Sequence, residues 1–288
     1  MERLSPLIRI TIIFCLSLLS YKSYSIDIVK IKDQQLSKNK AAHNIAVIQR
    51  ALEITEPNYG PFMLETVNIR MTPEREIRIV EEGDIVNVTI TPANQYWDTY
   101  LTPIKVPIRL GLLSYRLLLI NKVDLPKFEQ IATINEIKQT TVGLLHNWKT
   151  AGIYKENKIS MMKSYNYEGL FLMLNNQRFD YIPRAIYEVY DELEAQESIL
   201  KDIVVEPTIA LFIPTKTYLY VSPKNKRLVK RLQSGLHELV TSGELKEILH
   251  KYYASDIKRA KLNKRKMITI ESRYYNQTET TYNEYLLN

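Results

Sequence analysis

The four histidines, His43, His146, His237 and His250, stand far apart. None belongs to an HExxH pair or shares a carboxylate at ligand spacing, so the sequence gives no zinc site. Cys15 is the only cysteine, which excludes a thiolate cluster. No GxSxG, SxxK, Walker or GxGxxG pattern occurs, and eight glycines are a poor supply for phosphate cradles. Glu81, Glu82 and Asp84 flank Gly83. A carboxylate pair can run glycosidic chemistry, but three acids at a predicted helix end read better as a solvated terminus. The sequence thus offers no catalytic residue, no metal site and no cofactor motif.

What remains is recognition chemistry. Pro183 reads as the start of a helix running to about Glu197, which puts Arg184 in its first turn. Free backbone N–H groups, the helix dipole and a forked guanidinium would together favour an anion there. The alternative is an ion pair with Glu188, one turn on. Arg116 sits in the apolar run Tyr115–Ile120, where a guanidinium must reach either a cleft or a buried carboxylate. Trp97 and Trp148 offer faces for stacking on a ligand, or simply core. Ligands of open α/β sheets sit beyond the carboxyl ends of strands. That rule selects Thr91, Asn94 and Tyr96 after the strand 85–90, and His146 and Asn147 after the strand 141–145. Tyr218, near a returning strand, is a further candidate.

The elements that must position these groups alternate. A strand at 26–31 precedes a helix over 41–54, whose Ala42, Ile45, Ile48 and Leu52 share a face. Asn58-Tyr59-Gly60-Pro61 signals a turn, and 62–70 reads as a strand. Pro73 opens a helix that Gly83 stops. A strand at 85–90 and a loop at 91–94 follow, then an extended connection punctuated by Pro103 and Pro107. Beyond the strand 115–120 come a short helix at 134–138, strands at 141–145, 158–162 and 179–182, and helices at 150–155 and 165–175. Strands at 209–213 and 218–221 lead to two helices with leucine stripes, divided at Gly243. The end holds a possible strand at 267–271. Short strands and helices on both sides of the middle connection predict two α/β units.

The first 25 residues read as an export signal. Arg3 and Arg9 precede or punctuate the apolar run Leu7–Leu19, and Ser23-Tyr24-Ser25 offers a small-x-small cleavage site. The run is too short for a membrane-spanning helix, which needs about 20 residues. Cleavage near Ser25 would place the protein in the periplasm, remove Cys15 and leave a core without disulfides. The formal charge is +7. Part of it lies in Lys258–Lys266 (KRAKLNKRK), which is either a polyanion site or a solvated helix face. No aromatic residue interleaves with it, so no nucleic-acid partner is expected.

Four stretches resemble solute-binding protein family three, the amino-acid type of periplasmic binding protein. They are Arg75–Asp98 (REIRIVEEGDIVNVTITPANQYWD), Leu101–Asn121 (LTPIKVPIRLGLLSYRLLLIN), Tyr167–Glu194 (YEGLFLMLNNQRFDYIPRAIYEVYDELE) and Asn225–Tyr253. The resemblance implies a two-lobed type 2 periplasmic-binding-protein-like fold with a hinge. Lobe one would comprise 26–109 and 208–288, and lobe two 110–207. It further implies a monomer that captures a small solute between the lobes and serves a membrane transporter or sensor. Amino-acid binders of the family place an arginine after the first-lobe loop. Gln95-Tyr96-Trp97-Asp98 stands there instead, so the likeness carries the fold without an α-amino acid ligand. Relatives of this fold also include enzymes of the dehydratase or lyase kind, for which His146 and Asp98 are the convenient proton donors.

Overall fold

The computed structural model describes residues 25–32, 38–69, 71–196 and 200–274. The expected export signal and Cys15 lie outside these residues. Among them, no helix is long and apolar enough to cross a membrane.

Asp27–Lys32 (β1) pairs in parallel with Phe62–Val67 (β2) along six positions. A parallel pair needs a crossover, and Lys38–Tyr59 (α1) supplies it. The helix outruns its expected end at 54 and passes Pro57. A fully buried guanidinium ties this end of the helix down. Arg231 donates to the carbonyls of Leu52 (3.0 Å) and Gly60 (2.8 Å), and to Asp27 Oδ2 (2.8 Å). The end of α1 is thus fastened to a side chain far along the sequence, and Arg227 bonds the last helical carbonyl, that of Tyr59.

Pro73–Glu82 (α2) is the helix the sequence predicts. Thr72 accepts from Arg75 N, and Gly83 ends it at φ 81°, a left-handed position that glycine occupies without penalty. Val88–Pro92 (β3) follows and takes in Thr91 and Pro92, which the sequence reads as loop. Gln95–Tyr100 (α3) and Thr102–Ile104 (β4) complete this part. Thr217–Val221 (β11) inserts between β3 and β4, antiparallel to both, giving the order β2-β1-β3-β11-β4. Asn87 is buried here: its Oδ1 accepts from Lys30 N and its Nδ2 donates to Ile28 O, each at 2.8 Å. Asn87 is therefore a clamp between β1 and the chain that enters β3.

The second sheet is built on Tyr115–Asn121 (β5), with Leu117 and Leu119 in one apolar cluster and Leu118 and Ile120 in another. A strand covered on both faces reads as the unbroken apolar run seen here. Leu125–Glu129 (α4) and Ile134–Ile137 (α5) lead to Thr141–Leu145 (β6). Thr150–Glu156 (α6), Ser160–Ser164 (β7), Tyr167–Asn175 (α7) and Tyr181–Ala185 (β8) follow. After Val189–Ala195 (α8), Ile203–Val205 (β9) and Ile209–Phe212 (β10) lie along the other side of β5.

The expected helix at Pro183 is strand instead. Pro183 pairs with Leu118, and the helix starts only at Val189. Strand β6 meets β8 at Tyr181 alone. By Pro183 that flank is an edge, a place where a missing N–H is tolerated.

Lys226–Thr241 (α9) and Glu244–Ala260 (α10) both pack on α1, with Gly243 at φ 84° between them. The chain then changes sheets. Lys266–Thr269 (β12) pairs in parallel with β10, giving the order β12-β10-β5-β8-β6-β7. Strands β10 and β12 thus belong to the second sheet, although both fall beyond 208, in the stretch assigned to lobe one. Periodicity identifies a strand, but only pairing decides its sheet.

Candidate ligand-binding cleft

Besides the entry into β12, two segments cross between the sheets, 105–114 and 213–216, and hydrogen bonds tie these two together. Ser114 Oγ accepts from Thr215 N (3.0 Å) and donates to Thr215 O (3.1 Å), while Ile213 N donates to Ser114 O (2.9 Å). Leu110 and Gly111 turn the first crossing at φ 44° and 74°. Beside these crossings, beyond the carboxyl ends of β3, β6 and β8, lies a cavity of about 570 Å³. That volume falls within the range of small-molecule sites.

Seven of the sequence candidates line it: Thr91, Asn94, Trp97, Arg116, Asn147, Trp148 and Arg184. Three do not. Tyr96 is exposed and packs edge-on to Tyr100, because the residues after the expected loop at 91–94 form helix α3, whose turn carries Tyr96 outward. His146 stacks on Tyr165, with centroids 4.6 Å apart. Tyr218 is buried in the apolar cluster beneath α3.

Asn94 caps α3, accepting from Trp97 N at 3.2 Å. Trp97 is buried and tilted against Tyr220 at 5.7 Å, so it is both core and cavity wall. Arg184 does what the i+4 alternative anticipates, and more. It pairs with Glu188 at 3.0 Å, forks onto both oxygens of Glu192, and lies 4.5 Å over the ring of Trp148. Burial alone would push the Glu188 carboxyl up; Arg184, Lys40 and Arg116 instead hold it down at about 2.

Arg116 differs. It is 7% exposed and lines the cavity, yet among the described residues no hydrogen bond or ion pair reaches its guanidinium. Lys40 and Arg109 were missed by sequence reasoning. Lys40, on α1, donates across the cleft to Glu188 at 3.4 Å. Arg109, in the first crossing, is buried, donates to Asn44 Oδ1 at 2.5 Å and lies 5.9 Å from the Tyr187 ring. A charged residue inside an otherwise apolar crossing, such as Arg109 in VPIRLGLL, was the available signal.

The C-terminal segment adds a further wall. From β12, Ser272 and Tyr274 reach the cavity, and Tyr274 Oη donates to Asp98 Oδ2 at 2.8 Å. Asp98 also accepts from Tyr220 at 2.8 Å. Neither Asp98 nor His146 lines the cavity, so the pair required by the lyase-like alternative is not assembled there.

No protein-family model and no curated protein matches the chain. Solved structures do. The GluR0 ligand-binding core, in complex with L-glutamate, superposes with a TM-score of 0.57 at 12% identity, covering 80% of this chain and 99% of that one. An ancestral arginine-binding protein bound to glutamine gives 0.53 at 13%, over 80% and 99%. The VFT2 domain of BvgS from Bordetella pertussis gives 0.53 at 14%, over 81% and 100%. The chain therefore has the two-lobed, type 2 periplasmic-binding-protein-like fold.

Proposed function

We propose that this is an exported solute-binding protein that closes its lobes over a small polar, anionic solute and presents the closed form to a membrane transporter or sensor. One observation carries the reading: Arg116 is buried and lines the interlobe cavity with no hydrogen bond or ion pair among the described residues, and the carboxylate whose charge it feels, Glu188, is already bonded to Arg184 and Lys40. Burying a cation without a hydrogen-bonded counter-ion is unfavourable, and an anionic guest supplies a direct partner. The tied crossings at Ser114 and Thr215 provide a hinge about which such lobes close. The charged, apolar pattern of the first 25 residues supports export.

The test pairs binding with shape. Pools of organic acids, amino acids, sugars and polyamines are screened by thermal shift and confirmed by isothermal titration, with small-angle scattering to follow closure. An acid that binds and contracts the particle supports the reading. A screen with no binder and unchanged scattering ends it. The polyanion alternative draws less support. Within the basic run, Arg259 pairs with Glu194, and Arg265 is spent on the carbonyls of Glu206, Ala260 and Ile209.

A further inference from the structure

Several residues that wall the cleft carry buried polar atoms, most of them donors, that have no partner among the described residues. Buried side-chain atoms without a partner among the described residues include Trp97 Nε1, Arg109 Nε, Arg116 Nε, Tyr187 Oη and Thr217 Oγ1. All five residues line the cavity. The first three are donors only, and the two hydroxyls can donate or accept.

The buried lining carboxylates are committed elsewhere. Glu76 takes bonds from Lys32 (2.9 Å) and Thr89 (2.5 Å). Glu188 is held by Arg184 and Lys40. Asn94 Oδ1 caps α3. The remaining lining carboxylate, Glu156, stands exposed at the rim.

An ammonium group needs acceptors, ideally a free carboxylate, when it leaves water. A carboxylate or oxo group needs donors. The apolar part of the wall, Ile90, Leu113, Ile153 and Ile213 with the faces of Trp97 and Trp148, suits a hydrophobic body.

We infer that the guest is an ammonium-free organic acid, such as a 2-oxo acid with an aromatic or branched tail, whose carboxylate meets Arg116. This rests on the solute-binding reading and narrows it.

The test compares matched pairs that differ only at the α-carbon: phenylpyruvate with phenylalanine, 4-methyl-2-oxovalerate with leucine, and 2-oxoglutarate with glutamate. Titration calorimetry on the chain without its first 25 residues is expected to show at least tenfold tighter binding of the oxo acid in at least one pair. Arg116→Gln should weaken that binding at least tenfold while its circular dichroism and thermal midpoint remain close to those of the parent. An amino acid that binds as tightly as its oxo partner overturns the inference, and so does an Arg116→Gln protein with undiminished affinity. In either case the solute-binding reading survives. If only a neutral sugar or a polyamine binds, the inference falls and solute binding stands. If nothing in the pairs or the wider pools binds, both fall.

Discussion

At the scale of the residue, burial decides which charges remain available. Arg184 and Arg116 are both buried basic groups in paired strands, β8 and β5, yet two glutamates bond the first directly, whereas the second acts on Glu188 only through its charge. His43 shows the same physics in a titratable group. It lies on α1 against Tyr252 and Tyr253. Burial, reinforced by the Arg109 charge, depresses its imidazole from 6.5 to about 3. Between these values the unfolded chain holds a proton that the folded one refuses. This contribution is therefore complete above pH 6.5 and declines as the pH falls towards 3. Lowering the pH from 7 to 5 should remove about 2 kcal/mol through this group. Urea unfolding of His43→Phe at both values should show a correspondingly smaller loss than the parent.

At the scale of the element, α1 depends on what α9 brings to it. Arg231 closes the end of α1 and pairs with Asp27 at the start of β1. Removing one partner of a buried, hydrogen-bonded pair leaves the other uncompensated. Arg231→Met should cost about 3–5 kcal/mol in denaturant unfolding, and Asp27→Asn less, since the neutral amide retains an acceptor. The same helix pair allows no extra methyl. A Cβ on Gly235 would stand 2.2 Å from the Ala51 carbonyl oxygen. Gly235→Ala should therefore destabilise by about 1–3 kcal/mol through forced helix separation, although alanine favours helices intrinsically. A rise in thermal midpoint would contradict that contact.

At the scale of the molecule, the two lobes are joined by more than the paired crossings. Lys40 reaches from α1 to Glu188 beyond β8. The C-terminal segment runs from the edge of the second sheet to Asp98 in α3. Tyr274→Phe removes one of the two phenol donors to Asp98 and should speed dissociation of a bound acid by several-fold in stopped-flow chase experiments, with a smaller change in association. Ending the chain at residue 265 removes β12 and lays open the edge of β10. It should lower the thermal midpoint and raise the tendency to associate, since an uncovered strand edge is a pairing template.

The sequence by itself determined the local elements and the fold class. Helix α2 with its Thr72 and Gly83 ends, the strand 141–145 and the break at Gly243 follow from periodicity and cap chemistry, which act over a few residues. The alternation of strands and helices sets the two α/β units, and seven of the ten recognition candidates do line the cavity. Tertiary structure alone decided the rest. Pro183 lies in a strand because β6 stops pairing before it. The end of α1 is fastened by a guanidinium about 180 residues away, which bonds the carbonyls of Leu52 and Gly60. β10 and β12 join the second sheet because β5 offers the edge. Which arginine stays unpaired was settled by where Glu188 and Glu192 fall in space. Hydrophobic spacing reports what a segment can become, but pairing, burial and counter-ions depend on neighbours that the chain brings together only when it folds.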